Sequence, residues 1–177
     1  VLRDGAQVTA ADAQGNPMAL EEGRTSYDLT APAGTDQVPE EVSGEIDVLR
    51  VAQDWSLFMS DDLSFSRIDD YLIPSSYQYE VARKYATGVD ITFTSAHTLA
   101  DPAFTDSEVS NFAWITEDCF SVDIQFVKHM RLRSGAMVDD PMNDRFYFVR
   151  YDDTDDGADN PAWKLASMKE ILNDADE

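Results

Sequence analysis

Residues 119–133 read CFSVDIQFVKHMRLR, and the rest of the chain is arranged to pair with this stretch or to cover it. Phe120, Val122, Ile124, Phe126, Met130 and Leu132 share one parity; Cys119, Ser121, Asp123, Gln125, His129 and Arg131 share the other. Successive side chains of a strand point to opposite faces, so the pattern predicts a strand with one oily face and one wet face. Strands commonly run about five or six residues, whereas this one would span roughly 50 Å at about 3.3 Å per residue. A strand that long has to bend, and its sheet curves with it.

The neighbours of this strand are strands too. Val89–Thr98 alternates, with Val89, Ile91, Phe93, Ser95 and His97 on one face, and LADPAFTD follows as a loop. SEVSNFAWITED predicts a second strand, joined to the first-quoted stretch by a tight link. After it, Arg133–Ala136 turns the chain, DDPMND continues as loop, and RFYFVRYDD returns as a strand. The acidic loop DDTDDGADNP leads to a last strand in AWKLASMKEI. Connections this short cannot be crossovers, so residues 89 onward predict an antiparallel meander.

Helices precede the strands. Pro39 opens the first, where its missing N–H does no harm, and Val42, Ile46, Leu49, Ala52, Trp55, Phe58 and Met59 recur at helical spacing past a mild interruption at Gly44. FSRIDDYLI fits a short second helix that Pro74 ends. Ser75 and Gln78 match a capping box that opens a third, with Tyr77, Val81, Ala82 and Tyr85 as its buried stripe and Gly88 as its left-handed cap. Residues 1–37 hold short strand-like segments with too few large apolar residues for a core of their own. They read as a β-rich arm or the end of a preceding domain, ahead of one domain over 38–177.

Composition narrows the function. Lys and Arg number 13 against 35 Asp and Glu, a net charge of −22, so nucleic acid is an unsuitable partner and a solvated acidic surface is expected. With 43% hydrophobic residues the chain can build a core despite that charge. One cysteine, Cys119, excludes an internal disulfide and a multi-cysteine zinc site, and it reads as a plain small residue. No apolar run is long enough to span a membrane. The chain opens at Val1 with neither an initiator Met nor a signal peptide, as expected of an exported protein after removal of its leader.

A long helix, a short helix, a capped third helix and then long antiparallel strands resemble the NTF2-like superfamily over about residues 38–172. The ITFTSAH, CFSVDIQF and RFYFVRYDD strands and the ending WKLASMKEI carry the resemblance, and it is closest to extracytoplasmic domains of bacterial surface proteins and lipoproteins. It implies an α+β cone, with three N-terminal helices packed on a curved antiparallel sheet, a short β-rich arm before them, and a pocket at the open end. That superfamily includes isomerases, dehydratases and cyclases as well as members without catalysis, so the fold alone selects no activity.

Parity then sorts the candidates. Asp123 and His129 fall on the face opposite the helices and are about 20 Å apart along one strand, too far to act as a pair. Lys128, Arg131 and Arg133 read as a strand-face charge pattern that pairs with nearby acids. His97 ends an oily face and can point into the cone near its rim, as a ligand anchor or proton carrier. Trp55, Tyr71, Tyr77, Tyr85 and Phe93 are its expected companions in the pocket lining. The loop from Asp152 resembles a calcium loop until its twelfth position, which is Trp163 rather than a carboxylate, so no metal is expected there. No motif asks for a cofactor. The leading expectation is a non-enzymatic extracytoplasmic binding or assembly module, monomer or homodimer, whose apolar pocket holds a small ligand or a protein segment. The rival is a small-molecule isomerase, dehydratase or cyclase acting around His97, and an inward carboxylate within about 3 Å of that histidine separates the two.

Overall fold

A computed structural model of the chain describes residues 7–8, 27–28, 37–88, 96–151 and 162–172. Strands β1 (Gln7–Val8) and β2 (Tyr27–Asp28) pair antiparallel. Helices α1 (Glu40–Ser43), α2 (Val48–Met59) and α3 (Tyr77–Ala86) follow, with two single 3₁₀ turns, Phe65–Arg67 and Asp69–Tyr71, between the last two. Strands β3 (His97–Thr116), β4 (Cys119–Leu132), β5 (Met137–Tyr151) and β6 (Ala162–Glu170) then form one antiparallel sheet in sequence order. The protein is therefore α+β, with helices packed on a curved four-stranded sheet.

The oily face of β4 meets the helices. Phe120, Val122, Ile124 and Phe126 are buried in one cluster with Val51, Ala52 and Phe58 of α2 and with Ala82 of α3. Cross-strand aromatic pairs bind the sheet to itself: Phe120 lies opposite Phe148 with stacked rings 5.1 Å apart, and Trp163 of β6 meets Phe120 edge-on at 4.8 Å.

The other face of β4 is wet only in its second half. Cys119, Ser121 and Asp123 are buried, Cys119 beside Ile73 and Val149. Leu72 bridges to Leu165 of β6, so Leu72 joins the helical side of the core and Ile73 the opposite side. The strict wet-face reading fails because this short segment continues the sheet past β6 and covers part of its back.

Bulges bend β3. Leu99 pairs with Met130 and Phe104 with Lys128, so β3 takes five steps where β4 takes two. Further irregularities fall at Asp106 and Asn111, both with positive φ (53° and 51°). Asp and Asn tolerate the left-handed region better than most residues, and each extra residue bends the strand and strengthens its twist. LADPAFTD, expected as a loop, is thus strand; its Asp and Pro mark the bulge rather than a break. DDPMND is strand as well, paired across from 124–129, and Pro141 lies beyond the end of β6, where β5 is an edge and a missing N–H costs little. Of the expected strand 89–98, residues 89–95 lie outside the described residues, as does the acidic loop 152–161.

The helices differ in detail. The first expected helix divides because the Asp47 carboxylate accepts the Arg50 N–H at 3.0 Å, starting α2 afresh. The cap of α3 is Ser76, which accepts from the Tyr79 N–H at 3.1 Å, and Ser75 sits before it at φ 60°. That register turns Tyr77 outward, 59% exposed, and leaves Val81 exposed, so the stripe facing the core is Tyr79, Ala82 and Tyr85. Gly88 takes the left-handed conformation expected of it, at φ 70°.

One cross-strand pair sets a pH dependence. Asp144 of β5 lies opposite Glu170 of β6. Partial burial, chiefly, and repulsion from Glu170 push the Asp144 carboxyl above its ordinary value, against a backbone hydrogen bond at Asn143. Just above the ordinary carboxylate range the folded chain therefore holds this proton more than the unfolded chain does, so stability falls as pH rises through that window and stays lower above it. Asp144→Asn is expected to melt higher than the wild type at pH 7 and to lose that advantage near pH 3. Equal melting at pH 7 would refute the assignment.

Candidate functional site

Where α2 ends, the chain makes a complete Schellman turn. Asp61 N–H donates to the Phe58 carbonyl and Asp62 N–H to the Leu57 carbonyl, with Asp61 left-handed at φ 68°. The turn reverses the backbone and brings Asp62 to the first residue of β3, so that Asp62 Oδ2 lies 2.8 Å from His97 Nε2. The Ser60 hydroxyl donates to the same carboxylate oxygen at 2.6 Å, the shortest of its acceptors; the carbonyls of Ser56 and Leu57 are at 3.2 Å.

Lys128 completes the chain of contacts. It has the parity of Phe126 and Met130, so it points to the helical side, and its side chain is only 1% exposed. Its ammonium donates to the Ser56 carbonyl at 2.8 Å and to Ser60 Oγ at 3.0 Å, and it pairs with Asp140 Oδ2 at 3.0 Å. Asp140 is the cross-strand partner of Lys128 on β5 and is half-exposed at the edge of the site. One polar line thus runs His97–Asp62–Ser60–Lys128–Asp140. A buried lysine without such partners would carry a heavy desolvation penalty, and here every ammonium hydrogen has an acceptor.

Beside this line lies a cavity of about 470 Å³. Trp55, Met59, Met130, Leu132, Val138 and Met142 give it an apolar wall, and Ser56, Ser60, His97, Lys128 and Asp140 give it a polar one. Side chains from α2, β3, β4 and β5 meet there, between the end of α2 and the far half of the sheet. Methionine is flexible and polarisable, so this wall can adapt to ligands of different outline.

The expected pocket residues divide. Trp55 and His97 line the cavity. The Tyr85 hydroxyl donates to the Met59 carbonyl at 2.9 Å, tying α3 to the end of α2. The Tyr71 hydroxyl donates to Asp54 at 2.9 Å, and burial, followed by that carboxylate, pushes its pKa up. Tyr77 faces solvent, and Phe93 lies outside the described residues. On the other face, Asp123 is gripped by Arg145 at 2.6 and 2.9 Å and by Asn111, and His129 lies 2.7 Å from both Asp139 and Thr105. Both therefore serve the back of the sheet. Among the described residues no three His, Cys, Asp or Glu side chains are grouped to hold a metal, and no helix is long and apolar enough to cross a membrane.

Reading the sequence missed Asp62, Lys128 and Asp140. Lys128 could have been found, since strict alternation places it among the oily side chains of β4. Asp62 carries no such signal, because its placement depends on a left-handed aspartate at a position that glycine usually fills.

No protein-family model matches the chain, and no curated protein does. Among solved structures, an NTF2-like protein of unknown function in nutrient uptake from Rhodospirillum rubrum is similar at 14% identity and a TM-score of 0.39, over 72% of this chain and 100% of that one. A likeness that slight decides nothing about what this chain binds.

Proposed function

We propose that this domain is a binding module whose cavity takes a small, largely apolar ligand. The observation that carries the reading is the cavity itself: about 470 Å³, within the range of small-molecule sites, with six apolar side chains and one organised polar edge. We read the domain as part of an extracytoplasmic bacterial surface protein, with residues 1–37 an arm or the end of a preceding domain, on its resemblance to such domains. Recovery of the protein from the cytosol of its source cells would overturn that placement. His97→Ala is expected to change the affinity for hexan-1-ol by no more than about tenfold, because it removes one polar wall group and leaves the apolar wall in place. Failure of hexan-1-ol and its shorter and longer homologues to bind at millimolar concentration would overturn the binding reading.

A specific contact favours a second reading. Asp62 supplies the inward carboxylate at His97, at 2.8 Å, with the imidazole 9% and the carboxylate 17% exposed. A carboxylate that orients an imidazole is one half of a general acid–base site, and such a group contributes about 10²–10⁴-fold when positioned. On that reading the domain isomerises, dehydrates or cyclises a small molecule around His97. Turnover on enone or steroid-like substrates that His97→Ala lowers by about 100-fold or more would establish it and displace the non-enzymatic reading.

A further inference from the structure

The charges of the cavity wall select among ligands, and this step rests on the binding reading above. Lys128 is the lysine that a ligand anion would seek. Its ammonium has three hydrogens, and Ser56, Ser60 and Asp140 take all three. An incoming carboxylate would have to strand the buried Ser56 or Ser60 acceptor or break the Lys128–Asp140 ion pair and lie against the Asp140 carboxylate, which opposes binding. Ser60 has no proton to offer either, since its own goes to Asp62.

The wall carries no net charge while His97 is neutral, since Lys128 and Asp140 cancel, and Asp62, behind the wall against His97, offsets the imidazole when it is protonated. The whole chain adds a background of −22. Asp140 is the group left to act: its side chain is 52% exposed, Oδ2 pairs with Lys128, and Oδ1 takes no hydrogen bond among the described residues. Trp55 and the thioethers of Met59, Met130 and Met142 share that cavity, and both an indole face and polarisable sulfur suit a cationic head with an alkyl body.

From these we infer that the ligand class is a small hydrophobic amine in its ammonium form. The cation meets Asp140 beside Trp55, and the alkyl body lies along the methionines, Leu132 and Val138. A fatty-acid-like ligand is disfavoured because the ammonium of Lys128, the cation of this wall, already has its three hydrogens engaged.

Three probes with one carbon skeleton test this: hexylamine, hexan-1-ol and hexanoate, titrated calorimetrically into the protein at pH 7.5. Hexylamine is expected to bind about tenfold or more tighter than hexanol, with hexanoate weakest, and raising the salt is expected to narrow the gap between amine and alcohol. Asp140→Asn is expected to bring amine and alcohol to similar affinity. Hexanoate binding as tightly as hexylamine, or an amine preference that survives Asp140→Asn, would overturn the inference. If the alcohol binds and the amine binds no better, the ligand class falls and the apolar site stands. If none of the three binds, the binding reading falls with it. The wild-type ranking alone decides the matter should the variant fail to fold.

Discussion

Phe120→Ala is expected to destabilise the protein by about 3–5 kcal/mol, the range for removing a fully buried aromatic ring from a core. Phe120 has no exposed surface, and its ring lies 5.0 Å from Phe112, 5.9 Å from Trp114, 5.1 Å from Phe148 and 4.8 Å from Trp163. Those rings come from β3, β5 and β6, so one side chain of β4 joins all four strands. The loss is compounded because large rigid rings cannot collapse into the void. Urea denaturation followed by tryptophan fluorescence measures it, since Trp114 and Trp163 both sit in the affected cluster. A change below about 1 kcal/mol would show that the aromatic cluster does not hold the sheet together.

Lys128→Ala is expected to cost about 2–4 kcal/mol, between the loss of one charged hydrogen bond and that of a wholly buried ion pair. The upper bound is set by Asp140, whose carboxylate is half-exposed and can turn to water, so the loss falls on the Ser56 carbonyl, on Ser60 and on the packed alkyl stem. Lys128→Met keeps the stem and should recover about 1 kcal/mol or more relative to alanine. Equal destabilisation by the two substitutions would contradict a packing role for the stem. A variant as stable as the wild type would show that the buried amine is not held as described.

How much of this was legible beforehand follows from the kind of signal each residue gives. Two-residue alternation from Phe120 to Leu132 identified the central strand, and helical spacing in Val48–Met59 identified α2, because burial imposes those periods on the sequence. Asp, Pro and Asn disguised the bulge in β3 and the first half of β5. They are depleted in strands on average, yet a bulge or an exposed edge accepts them. His97 and Trp55 were reached by parity and helical position. Asp62 was not, since its proximity to His97 comes from a helix-terminating turn and a sequence separation of 35. Asp140 lies in a stretch whose Asp, Pro and Asn suggest loop, and only the β4–β5 register places it opposite Lys128.

The central claim is that the space between the end of α2 and the far half of the sheet is a ligand site. Three methionines, Met59, Met130 and Met142, line it, while Met137 is exposed at the start of β5 and Met168 packs against the core from β6. Labelling the methionine methyl groups with ¹³C and titrating with hexylamine while recording their NMR shifts reads these positions separately. Saturable shifts at Met59, Met130 and Met142, with Met137 and Met168 unmoved, are the predicted result. Saturable shifts confined to Met137 or Met168, or none at any methyl up to millimolar ligand, would contradict it.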